Sequence, residues 1–249
     1  MRTMLLLALA VGMAPGLAGQ TLDSRIGGVR DGTVRFAFAA RAGVCGDGEH
    51  NITYRSGRGR GEWEGSCTDG PVRVVVERTA GRTTAIRSYV GGRWRREATV
   101  DLGTVAAAEA SRWLLGVAER GEPEAEDAIL PATLADSVET WPALLRIARN
   151  DGVSRDTRKS ALFWLGQAAG EAGTRGLDSL VGDARADREI RESAVFALSQ
   201  RPEREGVPTL IRIAKRDRDP EIRRKAIFWL GQSESPAALA LFEELLTKP

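Results

Sequence analysis

Histidine is nearly absent from this chain: His50 is the only one among 249 residues. It lies in a glycine-rich stretch, and no serine or cysteine stands at a recognisable strand-to-helix elbow, so a Ser–His or Cys–His nucleophile pair has no parts. No glycine-rich phosphate loop precedes a helix, which removes the usual nucleotide cradle. Acidic runs such as Asp217-Arg218-Asp219-Pro220 are explained by helix starts, where carboxylates meet the positive end of the helix dipole. No catalytic residue and no cofactor are therefore expected. The N-terminal apolar run, Met4 to Met13, is shorter than the ~20 residues a membrane-spanning helix needs. With 42% apolar and 28% charged residues, the composition is that of a globular protein, neither disordered nor embedded in a bilayer.

Arg2, that apolar run and the small-x-small sequence Gly16-Leu17-Ala18 together read as a secretory signal over residues 1–19. A mature protein that is periplasmic or secreted is the expectation. Export bears on the two cysteines, because an even pair in an oxidising compartment is most simply a disulfide. Cys45 and Cys67 are expected to form it. The alternative is a metal site of Cys45, His50 and Cys67 with Asp47 or Glu49, but it lacks the paired spacing that holds a metal rigidly.

Residues 20–102 have strand character. Val72, Val74 and Val76 alternate with Arg73, Val75 and Glu77; Thr83 to Val90 alternates again after Ala80-Gly81-Arg82, and Gly91-Gly92 turns the chain toward Arg93 to Val100. Val34, Phe36 and Phe38 share one face of an earlier run. The pattern predicts a small antiparallel β domain, whose limited core makes a covalent staple useful. Charge divides unevenly: Thr21 to Val100 holds 14 Lys+Arg against 9 Asp+Glu, and Asp101 to Pro249 holds 21 against 25. Arg58, Arg60, Arg93, Arg95 and Arg96 form a candidate anion-binding set, which could meet an anionic envelope surface. An exported protein rarely meets nucleic acid, so no nucleic-acid partner is expected.

From residue 103 to 249 the apolar period changes from two to about 3.6. The block Arg158 to Gln167 (RKSALFWLGQ) recurs as Arg191 to Gln200 (RESAVFALSQ) and Arg223 to Gln232 (RRKAIFWLGQ), with Ala161, Ala194 and Ala226 spaced 33 and 32 residues apart. Self-similarity at this period means stacked supersecondary units. Ala128 stands in the same register and marks a divergent first unit, in which Pro131 should kink or shorten the second helix. Helix pairs are expected at 141–150 with 156–168, at 176–185 with 187–200 and at 207–216 with 219–232, closed by a last helix at 236–247. About four pairs and a closing helix result. The fold class is thus an α+β chain in two parts, a small β domain and an all-α solenoid.

The run Asp219-Pro220-Glu221-Ile222-Arg223-Arg224-Lys225-Ala226, then Leu230-Gly231-Gln232, then Ser235-Pro236-Ala237-Ala238-Leu239 resembles the HEAT repeat family, especially the short repeats of phycobilisome lyases. The resemblance covers residues 104 to 249. It implies antiparallel helix pairs whose second helices line a concave surface, with Asp187, Arg191, Asp219 and Arg223 tying adjacent repeats. It implies a scaffold that binds another protein without catalysis. Bilin-lyase-like chemistry is a remote alternative that conflicts with export.

A helical wheel places Ile222, Ala226, Trp229 and Leu230 on the buried side and turns Phe228 and Gln232 away from it. Three repeats therefore present Phe163, Phe196 and Phe228, followed by Gln167, Gln200 and Gln232, with Lys159, Glu192 and Arg224 one turn earlier. This ridge is the candidate protein-binding surface. The competing reading has each Phe packing against the neighbouring second helix.

Overall fold

The computed structural model describes residues 20–48, 52–54, 67–122, 124–168 and 170–247. The expected signal segment, His50, Glu49, Arg58 and Arg60 lie outside the described residues.

The first described element is a short helix, α1 (Leu22–Gly27), whose Thr21 cap accepts from the Ser24 N–H. Strand β1 (Gly32–Phe38) follows, then β2 (Val44–Gly46), β3 (Ile52–Tyr54) and β4 (Thr68–Asp69), and then the long hairpin β5 (Val72–Thr79) and β6 (Arg82–Val90). Strand β7 (Val100–Thr104) completes a four-stranded sheet of order β6-β5-β1-β7. The expected alternation is present in β5, where Val72, Val74 and Val76 are buried and Arg73, Val75 and Glu77 point outward. Val34, Phe36 and Phe38 of β1 continue the apolar face.

The sheet is antiparallel except at its last strand, because β7 runs parallel to β1. Arg93 to Thr99, expected as part of a meander strand, instead crosses from the β6 edge to the far side of β1. A strand that starts after such a crossing enters parallel to its neighbour, whereas a tight turn would have reversed it. Gly91 and Gly92 begin the crossing with φ of 69° and 64°, a region costly for other residues.

β2, β3 and β4 form a second, smaller sheet, stapled by the Cys45–Cys67 disulfide with Cα atoms 5.2 Å apart. Both sulfurs are thereby withdrawn from the alternative metal set. The bridge closes a separation of 22 residues, for which the chain-entropy model gives about 3 kcal/mol. Denaturant unfolding with and without reductant is expected to differ by about that amount, and an unchanged midpoint would contradict a stabilising role.

The helical part begins with α2 (Ala107–Arg120), ended by left-handed Gly121. A 3-10 turn (Ala125–Ala128) leads into α3 (Ile129–Thr133), shortened as Pro131 predicts. Then come α4 (Trp141–Arg149), α5 (Arg155–Gln167), α6 (Glu171–Val181), α7 (Arg188–Ser199), α8 (Glu203–Arg216), α9 (Pro220–Gly231) and α10 (Pro236–Thr247). The repeat anchors Ala128, Ala161, Ala194 and Ala226 are all 0% exposed. Near-copies of one sequence have taken near-equivalent places.

Two helices start earlier than the sequence pattern suggested. α6 continues through Gly176, where a Cβ would sit 3.0 Å from the Leu145 side chain, so that glycine serves close packing on α4. α8 carries Pro208 inside it, at its sixth position, past the free N–H groups of the first turn, so the helix forgoes one backbone hydrogen bond there. The start of α5 is capped by Ser154, whose hydroxyl accepts from the Thr157 N–H, and the expected Asp156 sits in the first turn.

The two parts share one core. Trp113 of α2 meets Phe36 edge-on at 6.0 Å. The Arg41 N–H donates to the Leu134 carbonyl at 2.8 Å, and the Asp136 N–H donates to the Ala39 carbonyl at 2.9 Å. Leu22 of α1 donates its N–H to Glu109 of α2 at 2.6 Å. The sheet therefore covers the first helix pair, the end a repeat array cannot cover with another repeat.

Candidate functional site

The second helices α5, α7 and α9 pack more closely in succession than the first helices α4, α6 and α8. Unequal spacing of the two layers bends the stack toward the second helices, which is where the candidate ridge lies.

A buried arginine ladder holds these helices in register. Arg158, 4% exposed, donates to the Ala148 carbonyl of its own repeat at 3.1 Å and to Asp187 of the next at 2.9 Å. Arg191 does the same one repeat later, donating to the Val181 carbonyl at 2.7 Å, to Asp217 at 3.0 Å and to Asp219 at 3.5 Å. Arg223 donates to the carbonyls of Asp217 and Arg218, and among the described residues it forms no ion pair with an aspartate. The expected ties through Asp187, Arg191 and Asp219 are present; Arg223 closes its own repeat instead. Arg158 was legible, since it opens the same block as Arg191 and Arg223.

The charged flank of the ridge is occupied by ion pairs. Lys159 bonds Glu189, Lys225 bonds Glu192 at 3.0 Å, and Arg224 pairs with Glu221 of its own helix. The first two link successive repeats. Gln167, Gln200 and Gln232 are exposed, as the wheel predicts.

The three phenylalanines differ in cover. Phe163 is 40% exposed and Phe228 54%, each meeting only the edge of its own neighbour, Trp164 or Trp229, at about 5 Å. Phe196 is partly buried, with its ring 4.9 Å from Trp229 of the next repeat. The place of Trp229 is held one repeat earlier by Ala197, which has no ring to cover Phe163, and α10, the next described helix after Phe228, does not repeat the block. Both readings of the ridge thus have a share: Phe196 glues repeats, while Phe163 and Phe228 remain open.

Phe163 and Phe196 border a cavity of about 670 Å³ with Lys159, Ser160, Ser193, Asp156 and Glu126. A second cavity of about 740 Å³ shares Ser160 and Glu126 and extends to Trp164, Leu130 and Asp127. Its other wall is Ile86 to Tyr89 of β6. Trp164, which holds in its repeat the place of Trp229, is only partly buried and faces this groove. The acidic wall was not foreseen, because Glu126 and Asp127 read as an ordinary helix start.

Partial burial and the neighbouring Glu124 carboxylate raise the Asp127 carboxyl above the usual aspartate value. A raised acid favours folding below its unfolded value, about 3.9, and that contribution is lost as pH rises through the folded value. Asp127→Asn is therefore expected to raise Tm at pH 7, with the gain shrinking toward zero as the pH falls below that unfolded value. Thermal unfolding of both proteins across pH would test it, and a gain that persists in acid would contradict it.

On the outer face of the sheet, Arg93, Arg95 and Arg96 line a cleft of about 520 Å³ with Arg35, Arg73 and Arg87. Trp94 lies over two of these guanidiniums, with Arg35 at 5.0 Å and Arg73 at 5.5 Å from the ring centroid. Asp101 holds Arg35 at 2.8 Å, and the carbonyls of Gly91 and Gly92 hold Arg73 at 2.9 Å. Sequence reasoning missed Arg35, Arg73 and Arg87. Each is an outward member of a strand alternation, but only the crossing segment brings Trp94 and its arginines over them.

Among the described residues no helix is long and apolar enough to cross a membrane. No curated protein matches the chain. A family model described as HEAT repeats matches residues 177–249, from within α6 onward, and the buried arginine and alanine places of that segment recur in α5, at Arg158 and Ala161.

Proposed function

We propose that this chain is an exported, non-catalytic module that binds another protein along the inner face of its HEAT repeats. Repeats of this family are consistent with a protein-binding scaffold and are in general non-catalytic. One observation carries the assignment to the inner face. Phe163, beside a groove, and Phe228 are large apolar side chains left open in a row whose third member, Phe196, is partly covered, and exposed aromatics favour contact with a partner.

The test is capture of the native partner by crosslinking in the host, repeated with Phe163→Ser/Phe228→Ser. Phe196 is left intact in this variant because it packs on Trp229. Capture is expected to fall by about tenfold or more, since an anchoring aromatic contributes on the order of 2 kcal/mol, with the circular dichroism spectrum unchanged. Undiminished capture would remove the inner face from the account. Export is tested separately, by fractionation of the host.

A second reading rests on the outer cleft, where six arginines line one space. In it the β part holds anionic envelope material and the repeats support it. Exposed charges are screened within about 10 Å at 0.1 M salt, so capture that collapses between low and high ionic strength would favour this cleft over the ridge.

A further inference from the structure

β6 is the outermost strand of its sheet, and no described strand lies beyond it. The 740 Å³ cavity beside it touches four consecutive residues, Ile86, Arg87, Ser88 and Tyr89. Successive side chains of a strand point to opposite faces. A space that meets four in a row therefore runs along the backbone edge, over about 13 Å of strand. An open edge presents unpaired N–H and C=O groups and is a template for pairing. The charge that could guard this one, Arg87, is turned back to Glu77 of β5 at 2.7 Å.

The facing wall has a definite chemistry. Leu130 and Trp164 supply apolar surface, and Glu126 and Asp127 supply carboxylates with which no described lysine or arginine forms an ion pair. We infer that the groove takes an extended segment of another protein by strand addition to β6, with Lys or Arg side chains of that segment meeting Glu126 and Asp127. Backbone hydrogen bonds supply affinity in this mode, and flanking side chains supply selection. A second copy of this chain fits poorly, because its own β6 carries the same helical wall beside it. This inference rests on the protein-binding reading and names the kind of partner segment and how it is held.

The probe is a capped heptapeptide alternating Lys and Val, titrated into the full mature chain by calorimetry. Two relatives accompany it, one with Glu for Lys and one with alternate backbone nitrogens methylated so that one edge cannot donate. Binding of the Lys peptide is expected, weakened about tenfold or more by either change. Glu126→Lys/Asp127→Lys is expected to weaken it similarly, with an unchanged circular dichroism spectrum. The Phe163→Ser/Phe228→Ser variant should bind the peptide as well as the parent does.

No binding, or equal binding of the methylated peptide, overturns strand addition. A peptide-free chain that dimerises in light scattering, and whose dimer is broken by the Lys peptide, would assign the edge to a second copy and overturn it too. Loss of peptide binding in the Phe163→Ser/Phe228→Ser variant, with methylation having no effect, would move the segment to the ridge. That last outcome sinks the edge inference and leaves the inner-face proposal standing.

Discussion

Arg201→Ala is expected to destabilise the fold by at least about 3 kcal/mol. Arg201 is 6% exposed and sits where α7 turns into α8, below the loop that joins α5 to α6. Its guanidinium donates to the carbonyls of Gly166 at 3.3 Å, Gly170 at 2.7 Å and Ala168, to the Thr174 hydroxyl at 2.8 Å and to Glu205 at 2.8 Å. Removing it leaves three carbonyls without that donor in an enclosed place, at about 1–3 kcal/mol for each that becomes unsatisfied. It also strips Glu205 of its nearer cation, leaving Arg204 at 4.0 Å. The Thr174 hydroxyl and the Arg201 guanidinium now hold that carboxyl below the usual glutamate range. A Tm drop on the order of 10 °C follows for a chain of this length. Arg201→Lys should recover less than half, because one ammonium cannot span carbonyls that a planar fork reaches together. A small Tm change in the alanine variant would mean that water or backbone motion satisfies those carbonyls.

The second large effect is expected at Gly166, and its value lies in a contrast. Gly166 and Gly231 hold the same place in the Leu-Gly-Gln ending of two repeats. Neither has a positive φ, so neither is a left-handed cap. A Cβ on Gly166 would lie 2.9 Å from the Ala197 carbonyl oxygen and 3.2 Å from its Cα, both backbone atoms of α7. A Cβ on Gly231 would meet nothing nearer than the Phe242 ring at 3.9 Å. Gly166→Ala must push α5 away from α7, at about 1–3 kcal/mol as for other overpacked sites. Gly231→Ala should be neutral or stabilising by up to about 1 kcal/mol, since alanine loses less conformational freedom in a helix. Scanning calorimetry of the two variants side by side would check this. Equal effects would show that the α5–α7 approach is not tight.

The contrast also shows how far the sequence could be read. Both glycines stand near helix ends; what separates them is the helix packed alongside. The ladder was legible because it repeats, from Arg158 to Arg191 to Arg223. Arg201 was not, because its register places hold Ala168 and Ser233, so no periodic signal marks it. The disulfide followed from cysteine number and context. The parallel placement of β7 did not, because alternation identifies strands and their faces but carries no information about which edge a crossing chain will reach.

Sequence alone therefore determined the objects: a sheet with Val34, Phe36, Val72, Val74 and Val76 on one face, and helical hairpins repeating through Ala161, Ala194 and Ala226. These depend on the spacing of apolar residues, a property of neighbours along the chain. Tertiary structure decided what stays open. Phe196 is covered by Trp229 while Phe163 faces Ala197's side of the stack; β6 is left as an edge; Glu126 and Asp127 stand across from it. Each of these depends on which residue a different element brings near, and side-chain cover in a stacked array is set by the following repeat, which no local period encodes.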